Sequence, residues 1–374
     1  MDRIVGSATV AISNRVSEMK QAGHDVIGFS VGEPDFDTPE HVKQAAKDAL
    51  DAGHTKYTPG PGIPALREAI SRYHETENDI PCQPSNVLAT PTKQAVAMTF
   101  LALAGQGDDI LLPDPAWVSY EPITRWAEAN PVPVPCRLED GFKMRADDVA
   151  EAVTSNTKMV LLNSPSNPTG AVNDPADIRG IVELAEDHDF WIVSDEIYQK
   201  LIYEGEHLSP GSLAFDRTVT IDGLSKSFAM TGWRTGWLVA PEPAFKQINK
   251  LQSHSVTHVT SFAQYGAVAA LNGPQDSVEM MRQAFMERRK VMVDGLNALD
   301  GVSCPTPQGA FYAFPHFENH PDDEKLCFDL IENAHVAPTP GSAFGEMGKG
   351  CLRFSYATSV DRIQEGLARL AKVI

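Results

Sequence analysis

The sequence predicts an α/β fold, with a mostly parallel sheet between layers of helices and a smaller α+β lobe appended. Three observations carry this expectation. Between about residues 90 and 240, short apolar runs alternate with helical patterns. Polar groups gather just past the carboxyl ends of those runs. Beyond "NGPQD", near residue 275, the texture changes to shorter alternating strands between helices. A chain of 374 residues also exceeds the usual size of a single core, so two units are expected.

Taken in order, strand-like NVLAT leads into KQAVAMTFLALA (93–104), which reads as a helix, and ILL follows after "GQGDD". KMVLLN (158–163), a helix at about 175–188, FWIVSD (190–195), VTID (219–222) and GWLVA (236–240) come next. Runs apolar on both faces and separated by helices indicate a parallel or mixed sheet covered on both sides. Helical patterns at about 243–252 and 262–272 precede the long DSVEMMRQAFMERRKVMVDGLNAL. GAFYAF, CLRFSYA and a last helix at about 359–372 make the smaller lobe. The expected division is a large unit over 31–275 and a small one formed by 1–30 with 276–374.

Net charge is −19, with 42 % apolar and 22 % charged residues. An acidic chain of this kind disfavours nucleic acid or an anionic membrane as partner, because both need a basic surface. The five cysteines (Cys82, Cys136, Cys304, Cys327, Cys351) are scattered and form no CxxC, which disfavours a disulfide framework or a zinc site. The start, MDRIVGSATVAISNRV, lacks the apolar core of a signal peptide, and no run is long enough to span a bilayer. A cytoplasmic protein is expected.

The stretch IDGLSKSFAMTGWRTGWLVA (221–240) holds only Asp222, Lys226 and Arg234 as charged side chains. Its composition is that of a core, where a lysine rarely lies without a partner. One reading puts Lys226 at a helix start with its amine in water. The other puts it in a ligand crevice, which in an open α/β sheet lies beyond the carboxyl ends of the strands. Asn167, Asp195, Tyr198, Lys226 and Trp117 all follow such ends. Singly, Asn167 is a turn residue, Asp195 a helix cap and Trp117 plain core. Their joint arrival at strand ends favours the crevice.

Other motifs carry less. GPGIPA (60–65) fits G-x-G-x-x-A but follows no apolar strand. Two S-x-x-K matches lack the companion motifs of an acyl-enzyme site. His254 and His258 lie four apart, weak grounds for a metal. A lysine, a buried aspartate, an aromatic plate and an arginine suit an aldehyde cofactor instead. The lysine condenses with the aldehyde, and an anionic aspartate keeps a pyridine nitrogen protonated so that the ring accepts electrons. Arg234 would hold a phosphate, Tyr198 a phenolic oxygen, and Trp117 would stack on the ring.

SNPTG (166–170), VSDEIY (193–198), SKSFAMTGWRTG (225–236), GEPDFDTP (32–39) and LRFSYAT (352–358) together closely resemble the class I aminotransferases. These are pyridoxal-phosphate enzymes of fold type I, and the sequence is most similar to the prokaryotic aspartate aminotransferase group. The resemblance spans essentially the whole chain and implies a seven-stranded-type sheet in the large domain. It implies that Lys226 binds the cofactor aldehyde, that Asp195 pairs with the pyridinium nitrogen, and that Tyr198 and Asn167 contact the phenolic oxygen. Ser225, Arg234, Thr92 and Lys93 match positions near the phosphate. Gly32, Trp117, Asn167 and Arg353 match substrate-contacting positions, with Arg353 as the fork for the α-carboxylate. Arg353 read alone is a solvated arginine on an edge strand. Tyr57 matches a tyrosine that reaches the neighbouring subunit's phosphate, which implies a homodimer.

Two departures from the family pattern are expected to alter phosphate binding. Pro91-Thr92 stands where Gly-Gly or Gly-Ser is common, and proline removes an N–H donor. Gly223 stands where a serine is frequent, shifting weight to Arg234 and Tyr57. The expected activity is transamination between an amino acid and a 2-oxo acid, and the resemblance implies that Lys93 contacts the distal carboxylate of aspartate or glutamate; the plainer reading of Lys93 is a solvated lysine at a helix start. The alternatives are an aromatic or alanine transaminase, a β-lyase of the same fold, and a non-catalytic ligand sensor.

Overall fold

The computed structural model describes residues 8–374; residues 1–7, the start of the segment read as lacking a signal-peptide core, lie outside them. Seven strands form the central sheet: β1 (Val87–Thr90), β2 (Asp109–Asp114), β3 (Asn130–Pro135), β4 (Thr157–Asn163), β5 (Trp191–Asp195), β6 (Thr218–Gly223) and β7 (Gly236–Val239). Their order across the sheet is β1-β7-β6-β5-β4-β2-β3. β7 alone runs against the direction of the other six strands. The sheet is therefore mixed but mostly parallel, as the doubly apolar runs predict.

Alternation along each strand explains the two covered faces. Ile110, Leu112, Met159, Leu161 and Val193 point to one side, where they pack with Phe100, Ile123 and Ile248 from the helices Thr92–Leu103, Tyr120–Trp126 and Glu242–His254. Leu111, Val160, Leu162 and Ile192 point to the other, against Ile178 and Ile181 of the helix Pro175–His188. All of these sheet residues are buried.

Sequence pattern misses β3, because NPVPVP holds three prolines. The strand forms because it is an edge. The N–H groups of Asn130 and Cys136 donate inward, to Asp108 and Asp114 carbonyls, so the even-numbered residues face β2. Pro131, Pro133 and Pro135 then place their missing donors on the outer side, where no ladder bond is lost. At the opposite edge, the Ala89 N–H donates to the Pro61 carbonyl and the Gln252 side chain donates to the Ala89 carbonyl.

The C-terminal elements build a second core. Leu352–Ser355 is the middle strand of three, flanked by Tyr312–Ala313 and Thr339–Pro340. The helices Asp276–Asn297 and Val360–Leu370 contribute Phe285, Met292, Ile363 and Leu370 to the same cluster. Ile27–Gly28 joins it by pairing in parallel with Val336–Ala337, and the Ser355 N–H donates to the Phe29 carbonyl. Among the described residues, no helix is long and apolar enough to cross a membrane.

The SNPTG segment is fixed by glycine. Gly170 has φ +69°, and an added Cβ would stand 2.7 Å from the Gly309 carbonyl and 2.5 Å from Pro307 Cβ. Gly170→Ala is therefore expected to cost about 1–3 kcal/mol, from overpacking and the unfavourable φ. A lowered urea midpoint with an unchanged m value is the check.

Candidate active site

Asp195 ends the central strand β5 and is buried. Its Oδ2 accepts a hydrogen bond from the Tyr120 hydroxyl at 2.8 Å, and its Oδ1 accepts from the Ile197 N–H at 3.3 Å. The Asn163 amide donates to the Asp195 carbonyl at 3.0 Å, while Asn163 Oδ1 accepts from the Asn167 N–H at 2.9 Å. Asn163 thus ties the SNPTG turn to the strand that carries Asp195. Burial pushes the Asp195 carboxyl up to about 6, against the pull of the Tyr120 hydrogen bond. Asp195 caps no helix, because the residues after it form a turn.

Lys226 follows β6 in a turn rather than at a helix start. Its Nζ donates to the Gly32 carbonyl at 2.6 Å and lies 5.9 and 6.0 Å from the Tyr198 and Phe311 ring centroids. The amine faces the cleft. Burial lowers it to about 8, with Arg353 and Arg234 reinforcing the fall and Glu33 and Asp195 opposing it.

Around the start of the helix Thr92–Leu103, the structure shows how both departures are accommodated. Pro91 is the residue before the helix, so the N–H groups of Thr92, Lys93 and Gln94 remain without intrahelical acceptors. The proline removes only the cap residue's N–H and leaves these three. At Gly223, an added Cβ would lie 2.7 Å from Thr92 Oγ1 and 2.8 Å from Gly236 Cα, so the packing leaves no room for a serine. Thr92 Oγ1 fills that space and is buried with no hydrogen-bond partner. Ser225 and Arg234 line the same cleft, and Arg234 takes φ +55°, its Nη1 donating to the Thr231 carbonyl at 2.8 Å.

Arg353 lies on the middle strand of its small sheet and is 4 % exposed, so it is no solvated edge residue. Its Nη1 donates to Asn167 Oδ1 at 2.8 Å and its Nη2 to the Ser30 carbonyl at 2.5 Å. Its Cζ lies 4.7 Å from the Tyr312 ring centroid and 4.9 Å from that of Phe344. The Tyr198 and Tyr312 hydroxyls are hydrogen-bonded at 2.8 Å. Gly32 is required beside them, because an added Cβ would collide with the Tyr312 hydroxyl. Lys93 Nζ sits 4.8 Å from the Trp117 ring centroid.

These residues line one cleft of about 500 Å³: Gly32, Thr92, Lys93, Trp117, Asn167, Asp195, Tyr198, Ser225, Lys226, Arg234 and Arg353 all reach it. Tyr57 does not. It is 90 % exposed, with its ring edge-on to His258. Sequence reasoning missed Tyr120, Asn163, Ser30, Tyr312 and Phe344. The first two had a signal: Tyr120 stands three residues after Trp117, and Asn163 is the last residue of KMVLLN. Among the described residues no cluster of His, Cys, Asp or Glu could hold a metal.

The donor set fits pyridoxal 5'-phosphate. A buried carboxylate suits a cationic ring nitrogen, a cleft-facing amine suits an aldehyde, and first-turn N–H groups suit a phosphate. The orphaned Thr92 hydroxyl lies beside that same turn.

The family model for aminotransferase class I and II matches residues 24–370. The chain is 42 % identical over 379 residues to the probable aspartate/prephenate aminotransferase of Aquifex aeolicus, covering 98 % of this chain and 96 % of that one. It is 41 % identical over 375 residues to the aspartate aminotransferase of Geobacillus stearothermophilus, covering 97 % and 95 %. The structure of aspartate aminotransferase from Thermus thermophilus with maleate is similar at a TM-score of 0.96 and 41 % identity, covering 100 % of this chain and 98 % of that one.

With its amine lowered to about 8, Lys226 should react fastest among the lysines when cofactor-free protein is treated with an amine-modifying reagent. The rate should rise through pH ~8 and then level off, as read by peptide mapping. Asp195→Asn should move that midpoint downward, because the carboxylate supports the ammonium form.

Proposed function

Since the chain belongs to the class I and II aminotransferases, pyridoxal-phosphate enzymes that move an amino group between an amino acid and a 2-oxo acid, we propose that it acts on aspartate and glutamate. One observation carries the substrate class. Besides Lys226 and Arg234, which the cofactor would engage, the cleft holds two cations with no carboxylate partner among the described residues, Arg353 beside Asn167 and Lys93 beside Trp117. A dicarboxylic amino acid brings one anion for each.

Bound pyridoxal phosphate supplies a ring that delocalises the electron pair left when the substrate Cα loses its proton. The protein's side chains do the rest. Lys226 Nζ, lowered by burial, is partly neutral near pH 8 and takes the Cα proton. Asp195 offers an anion to the ring nitrogen, and the Tyr120 hydroxyl and Ile197 N–H hold that anion in place. The Tyr198 hydroxyl and the Asn167 amide serve the phenolic oxygen. Thr92, Ser225 and Arg234 serve the phosphate together with the free N–H groups of the first turn.

Arg353 binds the α-carboxylate through its planar guanidinium, and Trp117 covers the ring face. Tyr57, exposed on its own chain, suits the phosphate site of a second copy, which makes the working form a homodimer. A large unit over 31–275 and a small one of 1–30 with 276–374 is the division we read here, with Lys226 and Asp195 on the large unit and Arg353 on the small one. The five cysteines are all free and buried, which suits a reducing cytoplasm.

Losing a charged contact in a water-poor cleft is worth roughly 1.5–3 kcal/mol. Arg353→Ala should therefore lower kcat/KM for aspartate, glutamate, alanine and phenylalanine alike. Lys93→Ala should lower it for aspartate and glutamate and leave alanine and phenylalanine nearly unchanged. An equal loss on all four with Lys93→Ala would mean that the lysine serves the cofactor or the fold. Asp195→Asn should keep the cofactor through gel filtration yet lose turnover by roughly 3 kcal/mol or more, the worth of a desolvated ion pair. Near-wild-type turnover in that variant would reduce Asp195 to a structural residue.

A further inference from the structure

The Arg353 guanidinium is held between two rings of different standing. Tyr312 is tied to Tyr198 and packed in the C-terminal core. Phe344 stands on a short loop, 341–350, made of two 3-10 turns, Gly341–Phe344 and Glu346–Gly348. That loop is a thin partition. Phe344 and Trp117 line the active cleft on one side and a second cavity of about 420 Å³ on the other, where Asp114, Glu121, Arg125 and Pro133 complete the wall. On the remaining side the Phe344 ring packs edge-on to Phe314, centroids 6.0 Å apart, within a buried apolar cluster.

Two buried carboxylates pin the backbone of the loop that carries it. Asp323 accepts from the Ser342 N–H at 2.7 Å and the Gly350 N–H at 3.4 Å, within the C-terminal elements. Asp114 reaches across from the end of β2: its Oδ2 accepts from the Glu346 N–H at 3.2 Å and its Oδ1 from the Met347 N–H at 3.1 Å. Two positions on, the Ala116 N–H donates to the Phe344 carbonyl at 2.8 Å. Gly345, at φ +135°, lets the loop settle on the carboxylate, since an added Cβ would overlap Asp114 Oδ1. Asp114 is 7 % exposed and Phe344 4 %, so the clamp is shielded from water. An alanine at 114 would leave two N–H groups at the site without acceptors.

We propose that Asp114 is a positioning residue for substrate binding: by clamping the 341–350 loop to the sheet, it holds Phe344 against Arg353 and sets the plane in which the guanidinium meets a carboxylate. The proposal rests on the reading of Arg353 as the α-carboxylate site. The probe is maleate, a dicarboxylate with no amino group to transfer, titrated spectroscopically into cofactor-loaded enzyme. Asp114→Ala should raise the maleate Kd and the aspartate KM about tenfold, while kcat and the cofactor spectrum stay nearly unchanged. In an Arg353→Ala background, Asp114→Ala should add less than about a twofold further loss, because its effect runs through that arginine.

Phe344→Ala, with the clamp intact, should reproduce the Kd increase, and Asp114→Asn, which keeps one acceptor, should fall between. These two variants carry the test if Asp114→Ala does not fold. Wild-type maleate affinity in Asp114→Ala, or in Phe344→Ala, overturns the proposal, as does a full additional loss in the Arg353→Ala background. If Arg353→Ala itself leaves maleate binding unchanged, the reading of Arg353 fails separately.

Discussion

The site depends on one constraint: a carboxylate kept out of water at the end of the central strand. Asp195 has neighbours on both sides of the sheet, so its burial follows from the strand order itself. Burial alone would favour the neutral acid. The Tyr120 hydroxyl and Ile197 N–H counter that tendency, and the nearby Lys226 amine counters it further. The same desolvation acts on Lys226 in the opposite sense, bringing an ordinary lysine down to about 8. One dry environment thus raises the carboxyl and lowers the amine.

The rest of the cleft is arranged around that pair by elements far apart in sequence. Asn163 joins the β4 end to the β5 end, and through Asn167 the link continues to Arg353 on the C-terminal sheet. Gly32 closes the circuit from the N-terminal segment, with its carbonyl on Lys226 and its bare Cα against Tyr312. A displacement of either sheet would therefore be felt at both the amine and the guanidinium. The helix start at Thr92 is more autonomous, because its N–H donors come from helix geometry and need no particular side chain.

Much of this was legible in the sequence, for identifiable reasons. Strands buried on both faces read as continuous apolar runs, so β4, β5 and β6 and the polar residues after them could be placed from pattern alone. β3 could not, because its prolines are breakers everywhere except on an outer edge, and edge position is a property of the assembled sheet. Lys226 stood out as a charge in core-like composition, and Asp195 by its place at a strand end. Tyr120 and Tyr312 did not, since a buried tyrosine looks the same in sequence whether its hydroxyl supports a carboxylate or another ring. Pro91 and Gly223 depart from the family pattern, and sequence alone does not say how the fold accommodates them. In three dimensions Pro91 lies just outside the first turn, and Thr92 occupies the space beside Gly223.

The prolines of β3 have a consequence for how these molecules meet in solution. A neighbouring chain that tried to continue the sheet would find carbonyls along that rim and, at Pro131, Pro133 and Pro135, no hydrogen to receive. The far rim is already occupied by the Pro61 carbonyl and the Gln252 amide. Growth of one copy's sheet into another's is thereby discouraged at both ends, a safeguard against fibrous stacking.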